Sequence, residues 1–457
     1  MKHLLLAIAP LLLCTPIALH AAEVSKPNIV VILADDLGWG DTSPYGNTEI
    51  KTPNLERLAA QGVTFTQFYS ACGVCSPSRS AILTGRTPYR NGVWVHLSGN
   101  NEAHLRASEI TYPKLLKEVG YETCHVGKWH LNSKPQFNTA GFPQPDDHGY
   151  DYWMATQNNA SPSHRNPDNF VRNGKPVGPL EGFSAPLVAA EAIQWLNEIH
   201  DSNRPFVLSV WFHEPHAPIA TDPKFSSLYP GHPNSEYLGN VTQMDSALGM
   251  IMDALEAKGL TQNTLLFFTS DNGPEGKGGT KGGSTGGLRG RKRSDYEGGI
   301  RVPGIVRWPG HIKPGIVSDV PLIGTDIFPT VLEVTGVALP KDRTMDGASM
   351  LPAFAGQPVE RKVPLFWRTH CSPPGDRVAM RVGDWKIVGN DQMDTFELYE
   401  IQKDWKEEHD LAGKMPEKTA EMRAALLKLW NEIETEGPKE WWHRETDGTK
   451  KAKGISY

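Results

Sequence analysis

Asn28-Ile29-Val30-Val31-Ile32-Leu33-Ala34 (NIVVILA), bounded by Pro27 and by Asp35-Asp36, decides the reading of this chain. An unbroken β-branched run this short, with no polar residue at alternate positions, predicts a strand buried on both faces, as in a parallel sheet covered by helices. Working outward, Pro205–Phe212 (PFVLSVWF) and Thr264–Ser270 (TLLFFTS) repeat the pattern, and Tyr121–Val126 forms a shorter strand. Between them lie stretches with helical spacing: Pro53–Gly62, Ser76–Thr84, Tyr112–Gly120, Leu187–Ile199 and Leu238–Lys258. Several open on proline and close on glycine, the usual asymmetry of helix ends. Strand–helix alternation of this kind predicts an α/β fold, a large and mostly parallel sheet sandwiched by helices.

After about residue 340 the character changes. Val363–Arg368, Arg377–Val382, Trp385–Val388 and Phe396–Tyr399 read as short strands separated by turn residues, and Pro416–Glu434 as a helix. This predicts a smaller C-terminal α+β subdomain over 341–457, with an antiparallel sheet and a terminal helix, after a catalytic domain over 23–340. Residues 1–22 read as a secretory signal: Lys2, an apolar run Leu4–Leu13 too short to span a bilayer, then small residues at Ala18, Ala21 and Ala22. The expected location is therefore periplasmic or secreted, with no membrane partner.

The net charge of −6, or −7 once Lys2 leaves with the signal, argues against nucleic acid as a partner. With Cys14 also removed, Cys72, Cys75, Cys124 and Cys371 remain, too few to staple a chain of 457 residues. Cys72 and Cys75 have C-x-x-C spacing, but a second metal-type pair and a thioredoxin-like context are both missing.

The chemistry starts where the strands stop. In open α/β sheets ligands bind at the carboxyl ends of strands. Asp35 and Asp36 stand there side by side, and adjacent carboxylates repel unless a cation intervenes. Asp271-Asn272-Gly273 follows another apolar strand in the same way. Asp35, Asp36, Asp271 and Asn272 make an all-oxygen set suited to calcium or magnesium rather than zinc. Cys75-Ser76-Pro77-Ser78-Arg79 puts a thiol just before a helix whose first turn carries proline, where helix amides favour anions.

The run Cys75 to Arg86 (CSPSRSAILTGR) resembles the signature of the type I sulfatases, formylglycine-dependent members of the alkaline-phosphatase superfamily. So do Gly127-Lys128-Trp129-His130, Pro215-His216-Ala217-Pro218, Asp271-Asn272-Gly273 and Tyr296-Glu297-Gly298-Gly299-Ile300-Arg301-Val302-Pro303. The resemblance covers nearly the whole mature chain. It implies a sulfuric ester hydrolase in which a maturing enzyme converts Cys75 to formylglycine before folding is complete. It implies calcium, with magnesium the lesser option, on Asp35, Asp36, Asp271, Asn272 and residue 75. It implies Arg79, Lys128 and Lys292 as cations around the sulfate, His130 as the base for the second hydroxyl of the aldehyde hydrate, and His216 as the acid for the leaving alcohol. Lys292 is placed by its distance before Tyr296-Glu297-Gly298-Gly299, with Arg291 and Arg293 beside it.

The expected substrate is a sulfated glycan attacked at a chain end, such as a galactose or N-acetylgalactosamine sulfate, by similarity to arylsulfatase-like and N-acetylgalactosamine-sulfatase-like members. Two other readings stand beside it: a phosphonate monoester or phosphodiester hydrolase of the same superfamily, and an inactive carbohydrate-binding protein on this scaffold. His213 reads as a structural histidine at a strand end, and His96, His164 and His370 as loop histidines, more often surface than site. Trp39, Trp94, Trp153 and Trp211 could stack on sugars but more often fill a core. The loop from Gln157 to Arg165 resembles a substrate-facing insert, and the glycine-rich stretch Gly273–Gly290 is expected to be a loop that is mobile or wraps a ligand.

Overall fold

The computed structural model describes residues 26–438 apart from 98, 100, 277–281, 374 and 391. The signal read over 1–22, and part of the glycine-rich loop, lie outside the described residues.

Asn28–Ala34 is the strand predicted, and none of its apolar residues is exposed. It pairs in parallel with Phe206–Trp211 on one side and Thr264–Ser270 on the other. Because side chains alternate across a strand, Ile29, Val31 and Leu33 enter one core with Trp129, Trp211 and Phe328. Val30, Ile32 and Ala34 enter a second core with Val241, Met244, Leu248 and Ile251 of the helix Ser235–Ala257. Burial of each Val, Ile or Leu contributes ~1.5–3 kcal/mol, so a polar residue anywhere in this strand would be costly on either face.

Among the described residues the main sheet has eleven strands. Its path runs through Ile316–Ser318, Val63–Tyr69, Arg301–Arg307, Thr264–Ser270, Asn28–Ala34, Phe206–Trp211, Glu122–Lys128 and Tyr152–Thr156, then two short strands at 171–176, and Leu322–Ile323 pairs with Val63–Tyr69 off this path. The sheet is mostly parallel, as expected, but Arg301–Arg307 runs antiparallel to both of its neighbours. Pro303 and Gly304 hide this strand from a pattern search. The glycine is required: a Cβ at Gly304 would lie 2.3 Å from Cγ of Phe68.

The C-terminal region forms a four-stranded antiparallel sheet, Leu365–Arg368, Val378–Val382, Trp385–Gly389 and Phe396–Glu400. The helix Pro416–Glu436 buries Met422, Leu426, Leu429 and Ile433 against Phe366, Met380 and Leu398. Tyr69 of the main sheet and Ile300, at the end of the short helix Glu297–Ile300, share a further apolar cluster with Trp367, Val388 and Tyr399 of the small one.

His125, in the strand Glu122–Lys128, sits in an aromatic box with Trp211, Trp129 and Tyr150 at ring distances of 4.9, 5.2 and 5.3 Å. Burial, then Arg79, pushes its pKa down to about 3, and burial likewise brings His148 to about 4. In the unfolded chain a histidine titrates near ~6.5. Below that pH the unfolded state binds more protons than the folded one, so their stabilisation is complete above pH ~6.5 and fades as pH falls toward 4. The melting temperature should drop between pH 7 and pH 5, and His125→Phe should flatten that slope. An unchanged slope in the variant would show that His125 is not a proton acceptor on unfolding.

Candidate active site

Four parallel strands end on the same edge of the sheet, and each hands over a piece of the site. Asn28–Ala34 leads into Asp35-Asp36, and Thr264–Ser270, in register with it at Ala34 and Ser270, leads into Asp271-Asn272. Glu122–Lys128 ends on Lys128 and leads to His130, and Phe206–Trp211 leads to His213 and His216. The chain turns sharply at two of these exits: Asp36 has φ 63° and His130 has φ 56°, a region non-glycine residues seldom occupy.

The sequence placed Cys75 just ahead of a helix; it is instead the first residue of Cys75–Thr84, a helix buried along its whole length. The Cys75 thiol points at Asp35, with Sγ 3.6 Å from Oδ1. Burial raises its pKa, against the pull of Lys128 and Lys292. A thiol held protonated is a poor nucleophile, which disfavours thiolate chemistry here. Arg79, one turn on, donates from Nε and Nη2 to Oδ2 of Asp271 at 2.9 and 2.7 Å, and from Nη1 to the Lys128 carbonyl at 3.1 Å. Lys128 Nζ donates to Asp35 at 2.6 Å and Lys292 Nζ to Asp36 at 2.7 Å. Of the three neighbours Lys292 is the one that reaches Asp36, with Glu275 Oε2 a second partner at 3.5 Å: Arg291 bonds the Glu275 and Gly283 carbonyls, and Arg293 pairs with the Glu275 carboxylate.

Three carboxylates and three cations thus meet in a buried, electrically balanced cluster. Burial and the neighbouring Asp35 push the Asp271 pKa up, with Arg79 and Lys128 opposing. Asp35 goes the other way: burial would raise it, but Lys128, His216 and Arg79 hold it well below the usual range. Asn272 donates to Asp36 Oδ1 at 2.7 Å, while its own Oδ1 is buried without a hydrogen-bond partner. An orphaned buried oxygen costs ~1–3 kcal/mol. A hard divalent cation among Asp35, Asp36, Asp271 and Asn272 would satisfy it, so the donors fit calcium or magnesium. Its two charges would also leave the cluster net positive, ready for a monoanionic ester.

His130 is buried, and its Nε2 lies 3.1 Å from the Leu97 carbonyl. That contact requires the proton on Nε2, which leaves Nδ1 bare, and Nδ1 has no partner. Burial, then Lys128 and Arg79, drives its pKa well down and keeps the ring neutral. His216 sits at the opening, its side chain 19% exposed, with Nε2 3.6 Å from Asp36 Oδ2.

Every residue nominated from the sequence for metal or sulfate therefore lies in or beside one cluster. The other nominations fare differently. His213 packs inside, sharing a 2.7 Å hydrogen bond with Thr156 Oγ1. His164 and His370 are buried rather than surface residues, and His96 lies 3.2 Å from His370. Trp94, Trp153 and Trp211 are buried, while Trp39 packs on Tyr45 and Trp405. Gln157 is tied to the carbonyls of Leu97 and Asn132. Pattern reading missed the Leu97 carbonyl, which sets the His130 tautomer, because a backbone acceptor leaves no signal in side-chain identity.

The family model "Sulfatase" matches residues 27–337, and "N-sulphoglucosamine sulphohydrolase, C-terminal" matches 290–436. The chain is 37% identical over 380 residues to N-acetylgalactosamine-6-sulfatase of Rattus norvegicus, covering 76% of this chain and 69% of that one. It is 33% identical over 473 residues to arylsulfatase A of Homo sapiens, covering 92% and 90%. A solved structure, Ps i-CgsB in complex with k-i-k-neocarrahexaose, matches with a TM-score of 0.81 at 27% identity, covering 93% of this chain and 96% of the other.

Proposed function

The chain belongs to the sulfatase family and is a sulfate ester hydrolase, and from that premise we propose that it is an exported, calcium-dependent enzyme that removes sulfate from the end of a sulfated glycan, using formylglycine made from Cys75. The observation that carries this reading is the Cys75 side chain, 3.6 Å from Asp35 inside a balanced cluster of three acids and three cations. Cys75 is 3% exposed, so a maturing enzyme must reach it before the chain folds.

Calcium on Asp35, Asp36, Asp271, Asn272 and the oxygen of the converted residue 75 would supply fixed positive charge for the ester oxygens. Formylglycine at position 75 supplies, as its hydrate, one hydroxyl to attack sulfur and a second whose deprotonation expels sulfate. Arg79, Lys128 and Lys292 balance the charge that moves from sulfur to the ester oxygen. His216, at the opening, would give its proton to the departing ester oxygen, which leaves as the sugar hydroxyl. Nδ1 of His130, bare and neutral, takes the proton of the second hydroxyl.

Support for a glycan comes from the relatives: an N-acetylgalactosamine-6-sulfatase among the sequences and an oligosaccharide complex among the structures. Export rests on the leader. Among the described residues, no helix is long and apolar enough to cross a membrane.

The test is sulfate release by the converted enzyme from defined galactose and N-acetylgalactosamine sulfates, with the 6-sulfates first. Nitrophenyl sulfate and a nitrophenyl phosphodiester serve as references. Release from at least one sugar, with sulfate preferred over phosphodiester, is expected. Release from none removes the glycan reading. A large preference for the phosphodiester would favour the phosphonate monoester or phosphodiester alternative.

A further inference from the structure

The Gly298-Gly299 turn is wedged between two pieces of the site. On one side the Gly273 amide donates to the Gly299 carbonyl at 2.8 Å, directly after Asp271-Asn272, and a Cβ at Gly273 would lie 2.1 Å from the Gly298 carbonyl oxygen. On the other side the Gly298 amide donates to the Arg289 carbonyl at 2.6 Å, and a Cβ at Gly298 would lie 2.4 Å from the Gly290 carbonyl oxygen. The loop from 289 to 294 carries Lys292. A shift of this turn by a few tenths of an ångström therefore moves Asn272, Lys292 or both.

What holds the turn is Glu297, fully buried beside it, with partners from both parts of the chain: Lys386 and Glu407 from the C-terminal region, Tyr69 and Arg301 (Nη1 3.4 Å from Oε2) from the main sheet. Lys386 Nζ reaches Glu297 Oε1 at 2.9 Å and Glu407 Oε1 at 2.8 Å. The other oxygen of Glu407 accepts from the Glu297 amide at 2.7 Å. Tyr69 donates its hydroxyl proton to Glu297 Oε2 at 2.7 Å, and Arg381 donates to that hydroxyl oxygen at 2.7 Å. Lys386, Glu297 and Glu407 have no exposed side-chain surface. Buried ion pairs of this kind contribute little net stability compared with apolar packing. They do impose direction, because each charge must face its partner.

We propose that Lys386 and Glu407 are positioning residues for sulfate ester hydrolysis: acting through Glu297, they set the Gly298-Gly299 turn against which the Asp271-Asn272 metal loop and the Lys292 loop are registered. The small sheet is then part of the working site. The two family models overlap over 290–337, the stretch that contains both Lys292 and Glu297. This inference rests on the reading of Asp271 and Asn272 as calcium ligands and Lys292 as a sulfate cation.

The test uses full-length, converted enzyme and two variants. Lys386→Met/Glu407→Gln removes one cation and one acid together, so no new net charge is buried. Tyr69→Phe removes a single hydroxyl and keeps the ring. Calcium affinity is measured by calorimetry, kcat on nitrophenyl sulfate, and both well below each melting temperature. Outer-shell partners of metal ligands are typically worth ~10–100-fold in affinity or activity. The double variant should bind calcium at least ~10-fold more weakly and lose kcat by a similar factor, and Tyr69→Phe should lose ~2–5-fold in both. A lowered melting temperature with parental calcium affinity and parental kcat, in either folded variant, would mean that the network only stabilises the fold and would overturn the proposal. Failure of the parent itself to bind calcium would instead remove the metal reading beneath it.

Discussion

Serine at position 75 should stop turnover and leave the enzyme carrying one sulfo group. Cys75→Ser keeps an oxygen nucleophile close to where the cysteine Sγ sits, 3.6 Å from Asp35 and within the field of Lys128 and Lys292. A serine hydroxyl can attack sulfur once, with the sugar leaving as its alcohol. It has no second hydroxyl on the same carbon, so the Oγ–S bond can break only by attack from outside. His130, whose Nδ1 would have taken the second proton, finds none to take. The expected result is a stoichiometric first event followed by loss of steady-state kcat of at least ~10⁴-fold, the scale seen when a nucleophile is removed from a working site. Intact mass before and after one equivalent of nitrophenyl sulfate reads the trapped group, and nitrophenol release reads the single event. Parental steady-state turnover by the serine variant would falsify the two-hydroxyl mechanism. Cys75→Ala, with no hydroxyl at all, should give neither the mass gain nor the burst.

Much of this site is legible from the sequence because its parts follow directly from strand patterns. The run NIVVILA is apolar on both faces, which places it in the middle of a covered sheet, and its end then has to be a ligand edge. Thr264–Ser270 has the same property, so Asp35-Asp36 and Asp271-Asn272 can be paired without coordinates. Lys292 yields only to motif distance, and its position between two arginines becomes clear from where the three side chains go. Arg301–Arg307 escapes because Pro303 and Gly304 interrupt it, and the reason for the glycine is the Phe68 ring across the strand pair. Lys386 and Glu407 escape for a different reason. A lysine in a short strand and a glutamate in a charged run read as solvated residues, and nothing local in either segment reveals a partner about 90 or 110 positions away. Burial of charge is a property of the assembled fold, so a sequence pass finds the strand-end chemistry and misses the network that holds it.

Asp35→Asn should separate the two tasks proposed for the cluster, calcium binding and charge balance. Asp35 is fully buried, receives Lys128 at 2.6 Å and lies 3.7 Å from Arg79. Asparagine keeps the shape and removes the charge, so three cations then face two carboxylates. Deleting one member of a buried pair typically costs ~3–5 kcal/mol, because the other charge stays behind unpaired. Relief of repulsion among Asp35, Asp36 and Asp271 works against this cost. The Lys128 contact is the shortest that Asp35 makes, so the loss should win and the chelated variant should melt below the chelated parent. Calcium then discriminates. A ligand that binds only the folded state adds ~2.7 kcal/mol at one hundred times its Kd, so the parent should melt higher in calcium than in chelator. The variant, with a carboxylate missing from its donor set, should show little or none of that rise. With fixed charge lost from both the calcium and the Lys128 side, kcat should fall by ~10³-fold or more. Melting curves with and without calcium, beside turnover of nitrophenyl sulfate, give all three numbers. A variant that still gains the parental calcium shift would place the cation away from Asp35, and one that keeps parental kcat would leave the strand-end carboxylates without a part in catalysis.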